Sequence, residues 1–172
     1  MDDKALFDLA TATALNALDR AEHLLDRALQ SAEPEALLET ALVPHSFDCA
    51  HQLRTVTIFA LRLVLTPIGK GWSLSVSGCS PDVLRRQFDG ARADIRALKM
   101  DDYAGASSRL VEHTAGEAKL SQKVEDYIQH FAIPNLWFHL SMAYAIMRQS
   151  GVEIGKADFD GLHQYETGFS FV

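Results

Sequence analysis

The chain has 172 residues, of which 48% are hydrophobic and 23% are charged, and its formal net charge is −7 with a pI near 5.4. A chain of this size can bury a core without disulfides or a metal, so we predict a single domain spanning residues 1–172. The acidic balance and the lack of a Lys/Arg block argue against a nucleic-acid partner, and no apolar run is long enough to cross a membrane.

The start of the chain and its cysteines predict a cytoplasmic protein. The first ten residues, MDDKALFDLA, are acidic and amphipathic, whereas a signal peptide would have basic residues followed by an apolar core. Cys49 and Cys79 form neither a CxxC pair nor a disulfide framework. Two free thiols in a reducing compartment are the simplest interpretation.

The first third of the chain predicts two long helices. Apolar residues recur every three or four positions over residues 3–30, which is typical of an amphipathic helix. Pro34 then favours a short helix over residues 35–41. Ser46 is the predicted N-cap of the second long helix, over residues 47–65, and an acidic first turn supports that start.

The two sides of this second helix differ in polarity. One side carries Cys49, Leu53, Val56, Thr57, Ala60 and Val64. The other side carries His51, Arg54, Ile58 and Arg62. Because the two arginines mark the wetter side, we predict that the side with Cys49 faces the core.

A loop and a third helix follow. Residues 66–80 are rich in glycine, serine and proline, and this loop can hold an extended piece over residues 72–76. Ser80 and Pro81 form a strong helix start, since serine is a good N-cap and proline is favoured in the first turn. The apolar spacing that follows predicts a helix over residues 81–100.

The predicted fold class is all-α, a four-helix bundle with a long crossover and a small β-hairpin. The helical period disappears after residue 100, and residues 109–112 and 117–120 can pair around a turn at residues 114–116. Ser121 is the predicted N-cap of the fourth long helix, over residues 122–150. Four long helices with mixed connections are typical of a bundle.

The fourth helix is the most strongly patterned stretch of the chain. His139 lies at the centre of its apolar stripe, with Asn135 one turn earlier on the same side. Pro134 removes a backbone donor, which predicts a bend, and Gly151 marks the end of the helix. We predict that His139 is a buried, neutral imidazole bonded to Asn135 or to a tyrosine.

The opposite side of the fourth helix is aromatic, and this predicts an interface. It carries His130, Ile133, Trp137 and Tyr144. The tail over residues 157–172 is also apolar, so we expect it to pack on the bundle or on a second subunit. Covering both surfaces predicts a homodimer.

The fourth helix also carries a family resemblance. The stretch DYIQHFAIPNLWFHLSMAYAIMRQSGVEIGKADF, Asp126 to Phe159, resembles the signature of a bacterial family of unknown function in the DinB/YfiT-like superfamily. A weaker match surrounds Pro44, Phe47 and Gln52. The resemblance implies a DinB-like four-helix bundle, commonly dimeric. Superfamily relatives include metal-dependent thiol transferases and hydrolases.

The resemblance also implies where a metal would bind in such relatives. They hold nickel, zinc or iron with three histidines, one on the second helix and two spaced four residues apart on the last. Here that pair is Asn135 and His139, and an amide oxygen is a poor ligand for these ions. The second helix offers His51 on its wetter side and Cys49 on its core side. We therefore predict no metal and no cofactor, with an incomplete nickel, zinc or iron site as the alternative.

Two classes of function remain open from the sequence. The first is a non-catalytic dimer that binds a small ligand or serves in a stress response. The second is an enzyme that transfers a thiol or hydrolyses a small substrate, with His139 as metal ligand or general base. The candidate ligand-binding residues are Asn135, His139, Cys49, Gln52 and His51.

Overall fold

The computed structural model describes residues 1–166, and it confirms the predicted mostly helical fold with a small antiparallel hairpin. The long helices are α1 (Asp3–Leu29), α3 (Cys49–Leu65), α4 (Pro81–Ala97) and α6 (Ile133–Gln149). The short helices are α2 (Pro34–Leu38), α5 (Val124–Asp126) and α7 (Lys156–Asp160). Short 3-10 helices lie at Thr66–Ile68, Met100–Tyr103 and Ala106–Ser108. No helix among the described residues is both long and apolar enough to span a membrane.

Helix α3 is the centre of the bundle. It packs against α1, α4 and α6, and the predicted core side from Cys49 to Val64 is fully buried. Helix α1 contributes small buried residues to this core, namely Ala10, Ala14, Ala17, Ala21 and Ala28. Small side chains allow the two helix backbones to approach closely. The polar side of α3 therefore faces outward, as its arginines predicted.

The helix starts are where the structure differs most from the sequence prediction. The N-cap of α3 is Asp48, whose Oδ1 accepts a hydrogen bond from the His51 backbone N–H at 2.8 Å. Ser46 is not the cap, because its hydroxyl donates to the Val43 carbonyl at 2.9 Å within a turn. Ser121 is not a cap either, because it lies in a strand. An aspartate competes well with serine for a cap position, so the local pattern allowed both.

The hairpin is longer than predicted. Strands β1 (Leu110–Ala115) and β2 (Ala118–Lys123) pair antiparallel, and Ser121 pairs with Glu112. Gly116 forms the turn with a φ of +59°, a left-handed angle that glycine adopts without strain. The extended piece expected over residues 72–76 forms no strand, since no neighbouring edge pairs with it.

The predicted bend near Pro134 takes the form of a π-helical segment. Residues Tyr127–Ala132 form π-type turns between α5 and α6, just before the proline. Proline lacks the N–H that would continue the regular α-helical bonds, and a wider turn accommodates that loss. Phe131 in this segment contacts Phe59 of α3 with ring centres 5.8 Å apart.

The chain after α6 folds back onto the bundle. Gly151 ends α6 with a φ of +82°, as predicted. In α7, Asp158 Oδ1 lies 2.8 Å from His23 Nε2 of α1, and Phe159 packs on Trp137 and Tyr144 with ring centres 6.1 and 5.7 Å away. Its own chain therefore covers the aromatic side of α6 at Trp137 and Tyr144, which removes one reason for predicting a dimer there, whereas His130 stays exposed. The last six residues of the tail, 167–172, lie outside the described residues.

Candidate functional site

His139 lies on α6, half-buried, and faces α3. Its Nδ1 is 2.7 Å from Oε1 of Gln52, a buried residue of α3. The predicted bond to Asn135 is wrong. The Asn135 amide instead donates to the Phe131 carbonyl at 2.7 Å, one turn back on its own helix. The pair that links the two helices is thus Gln52 and His139, and Asn135 is beside it.

The hydrogen bonds of Gln52 assign the tautomer of His139. The Gln52 Nε2 donates to the Phe47 carbonyl at 3.5 Å, which turns the amide oxygen toward the imidazole. In this orientation the amide oxygen accepts, which assigns the proton of His139 to Nδ1. The other ring nitrogen, Nε2, then holds an unprotonated lone pair.

That lone pair has no protein partner among residues 1–166, and it reaches solvent. Burial of the ring lowers the pKa of His139 to about 4, because desolvation disfavours the charged imidazolium. At neutral pH the ring is therefore uncharged. The Nε2 atom can accept a hydrogen bond, but it is a weak base at neutral pH.

Aromatic rings surround this imidazole. Phe59 and Phe47 lie roughly parallel to it, with ring centres 5.5 and 6.2 Å away, and Phe138 meets it edge-on at 5.2 Å. Phe59 is buried, whereas Phe47 is 52% exposed and Phe138 is 55% exposed. Two half-exposed rings therefore contact an imidazole that has a free hydrogen-bond acceptor.

A cationic side chain closes one end of the aromatic cluster. The guanidinium carbon of Arg62 lies 5.0 Å from the centre of the Phe59 ring and 4.9 Å from that of Phe131. Contacts at this distance stabilise the arginine over the rings. Arg62 also donates to the Thr114 carbonyl of β1 at 3.4 Å, so the hairpin is tied to the same cluster.

Neither of the other two candidate residues bonds His139, although the ring centre of His51 lies 6.0 Å from that of Phe47. Cys49 is fully buried, and burial raises the pKa of its thiol to about 12, with a smaller contribution from the Asp48 carboxylate. His51 is exposed, and its Nδ1 lies 2.8 Å from Oδ1 of Asp48. It lines a separate cavity of about 610 Å³ with Glu35 and Cys79. Burial raises the pKa of the Cys79 thiol too.

Residues 6–160 match the model of a family described as a domain of unknown function, DUF1993. The chain belongs to the DUF1993 family. It is also similar to the crystal structure of a DinB family member protein from Shewanella denitrificans, with a TM-score of 0.79 and 24% sequence identity over 95% of this chain and 96% of that one. No curated protein matches the sequence significantly. These similarities establish the family and the fold.

The residues of this DUF1993 chain do not fit the metal site that the superfamily implies. Where α3 and α6 meet at His139, the neighbouring polar side chains are the amides of Gln52 and Asn135. The Gln52 oxygen already accepts from His139, and the Asn135 amide bonds its own helix. Nowhere in residues 1–166 do three or more His, Cys, Asp or Glu side chains lie close enough to hold an ion. Amide donors are poor partners for nickel, zinc or iron.

The sequence prediction missed the three phenylalanines of the site. Phe47 comes just before α3, and Phe59 lies between the two sides assigned to that helix. Phe138 precedes His139 in the chain. A pattern of apolar spacing assigns each of these rings to packing, and it does not show that rings from two helices converge on one histidine.

Proposed function

We propose that this DUF1993 protein is a non-catalytic homodimer that binds a small molecule at the face shared by α3 and α6. One observation carries the proposal. The His139 Nε2 lone pair has no partner within the described residues, and the imidazole that carries it contacts the half-exposed rings of Phe47 and Phe138. Binding sites combine an apolar surface with a few fixed polar groups, and this face has both.

The same geometry supports binding rather than catalysis. A general base works best with a pKa near the working pH, whereas the pKa of His139 is lowered to about 4. Both thiols have raised pKa values, so neither is activated as a nucleophile. The metal-dependent alternative requires a set of ligands that Gln52 and Asn135 do not supply.

A homodimer in the cytoplasm completes the proposal. Docking of α7 leaves other apolar side chains uncovered, including Phe138 at 55% exposure and Leu162 at 80%. A second copy of the chain would bury such surface. Two free cysteines support a reducing compartment.

The binding proposal is tested by protein-observed NMR with a defined panel of probes. Toluene, phenol, indole and benzoate are titrated to millimolar concentration into the labelled protein. Saturable shifts at His139 and at the rings of Phe47 and Phe138 support a binding site at this face. If no member of the panel shifts these signals, the proposed site is wrong. Signals of Leu162, far along the chain on the tail, are the control for non-specific association.

A further inference from the structure

We propose that the ligand of this site is a planar, apolar molecule that carries an N–H or O–H group and donates it to Nε2 of His139. This inference rests on the proposed function and names the class of ligand. It follows from the direction of the hydrogen bonds at Gln52 and from the rings around the imidazole.

The hydrogen-bond direction fixes what the site can recognise. Gln52 holds the proton of His139 on Nδ1, so Nε2 can accept a hydrogen bond and cannot donate one. A ligand that places a carboxylate or a carbonyl oxygen next to Nε2 cannot form a hydrogen bond, because both atoms are acceptors. A ligand that places an N–H or O–H there replaces the water bond of Nε2 with one of its own.

The arrangement of the aromatic rings determines the shape of the ligand that fits this face. Phe59 and Phe47 make angles of 21° and 28° with the imidazole plane, so the three planar groups are nearly parallel. Phe138 stands at 83° to the same ring. Phe47 also neighbours His51, with ring centres 6.0 Å apart, and 52% of its surface is exposed. A flat molecule can pack against this exposed surface and meet the edge of Phe138 while its donor reaches Nε2. A bulky aliphatic molecule would leave these rings partly uncovered.

Indole and 1-methylindole test the inference because they have nearly the same shape and only indole has an N–H. We expect indole to bind at least tenfold more tightly, with the larger shift at the His139 ring nitrogens. A methyl group in place of the donor leaves the lone pair desolvated and unpaired, which is the usual source of such selectivity. Equal affinities, or a preference for 1-methylindole, would overturn the inference.

Two variants test whether the preference for indole over 1-methylindole depends on His139. His139→Phe keeps a planar ring and removes the acceptor, so the two probes should bind with similar affinity. His130→Phe makes the same change on an exposed histidine of the π-helical segment, away from these rings, and should keep the preference for indole. If His139→Phe does not fold, Gln52→Leu takes its place, since loss of the amide oxygen frees the tautomer and should reduce the preference. Unchanged selectivity in the folded site variant would contradict the inference.

The outcomes separate the two proposals. If probes of the panel shift His139 but indole has no advantage over 1-methylindole, the binding site stands and the ligand class is wrong. If no probe shifts His139, both proposals fail.

Discussion

At the residue scale, His139 makes the stability of the folded protein depend on pH. Its pKa is about 4 in the folded protein and about 6.5 in an unfolded chain. Between these values the unfolded chain binds the extra proton, so this group's contribution to stability is lost as the pH falls from about 6.5 to about 4. Above that window both states are neutral and the contribution is constant.

This linkage predicts a difference between the wild type and His139→Gln, which cannot titrate. From about pH 7 to about pH 5, the free energy of unfolding of the wild type should fall by about 1 kcal/mol more than that of the variant, a figure reduced for partial exposure of the ring. Urea denaturation at the two pH values measures it. Identical pH slopes for the two proteins would show that His139 is not buried as described.

The partner of His139 gives a second prediction. A double-mutant cycle between Gln52→Leu and His139→Phe should show a coupling energy of about 1 kcal/mol, because the two side chains share a hydrogen bond. The matched cycle between Asn135→Ala and His139→Phe should show little coupling, since Asn135 bonds its own helix. The sequence alone suggested a bond between His139 and Asn135 or a tyrosine. Coupling to Asn135 and none to Gln52 would favour that first interpretation.

At the element scale, the start of α3 tests which residue caps the helix. Asp48→Ala removes the side-chain bond to the His51 backbone N–H and should cost about 1 kcal/mol of stability. Ser46→Ala removes only a bond within the preceding turn and should cost less. Thermal or urea unfolding of the two variants measures the difference. A larger loss for Ser46→Ala would place the cap where the sequence pattern put it.

Helix interiors could be predicted from sequence, and helix ends only in part: α4 begins at Pro81 and Gly151 ends α6 as predicted, but the cap of α3 differs. The core side of α3 from Cys49 to Val64 followed directly from the position of Arg54 and Arg62, because charged groups stay near water. The cap did not follow, because Ser46 and Asp48 are both good cap residues and the choice depends on the turn before them. The π-helical segment before Pro134 appeared only as a bend.

The candidate site was predictable in part, because the sequence pattern of one helix shows which residues share a side but does not show which residues of another helix face them. His139 stood out as a polar residue at the centre of an apolar stripe. Its partner is on another helix, and the relative rotation of α3 and α6 decides whether Gln52, His51 or Cys49 faces it. That rotation depends on packing between the helices, which spacing along one helix does not encode.

At the scale of the whole molecule, the proposed homodimer can be located. Sedimentation equilibrium should show a dimer for the wild type at micromolar concentration. Phe138→Glu tests an interface on the face of α6, and Leu162→Glu tests one on the tail. A charge buried in an interface is costly, so the variant at the true interface should be monomeric. A wild-type protein that remains monomeric at high micromolar concentration would contradict the dimer.

The folding back of α7 bears on the same question. With Phe159 packed on Trp137 and Tyr144, the chain covers an aromatic surface that otherwise required a partner. His23 and Asp158 hold α7 against α1. The proposed interface therefore uses apolar side chains beyond this covered surface. Such side chains are exposed on the His139 face and the tail, and also on the hairpin at Leu110 and Leu120.

The central claim is that His139 presents an unprotonated Nε2 on a neutral ring fixed by Gln52, and long-range ¹H–¹⁵N NMR of the histidine ring tests it most directly. At neutral pH we predict that Nδ1 has the shift of a protonated nitrogen and Nε2 that of an unprotonated one, with little change down to about pH 5. In Gln52→Leu the tautomers should mix. A ring protonated on Nε2 in the wild type, or an imidazolium at neutral pH, would contradict the account.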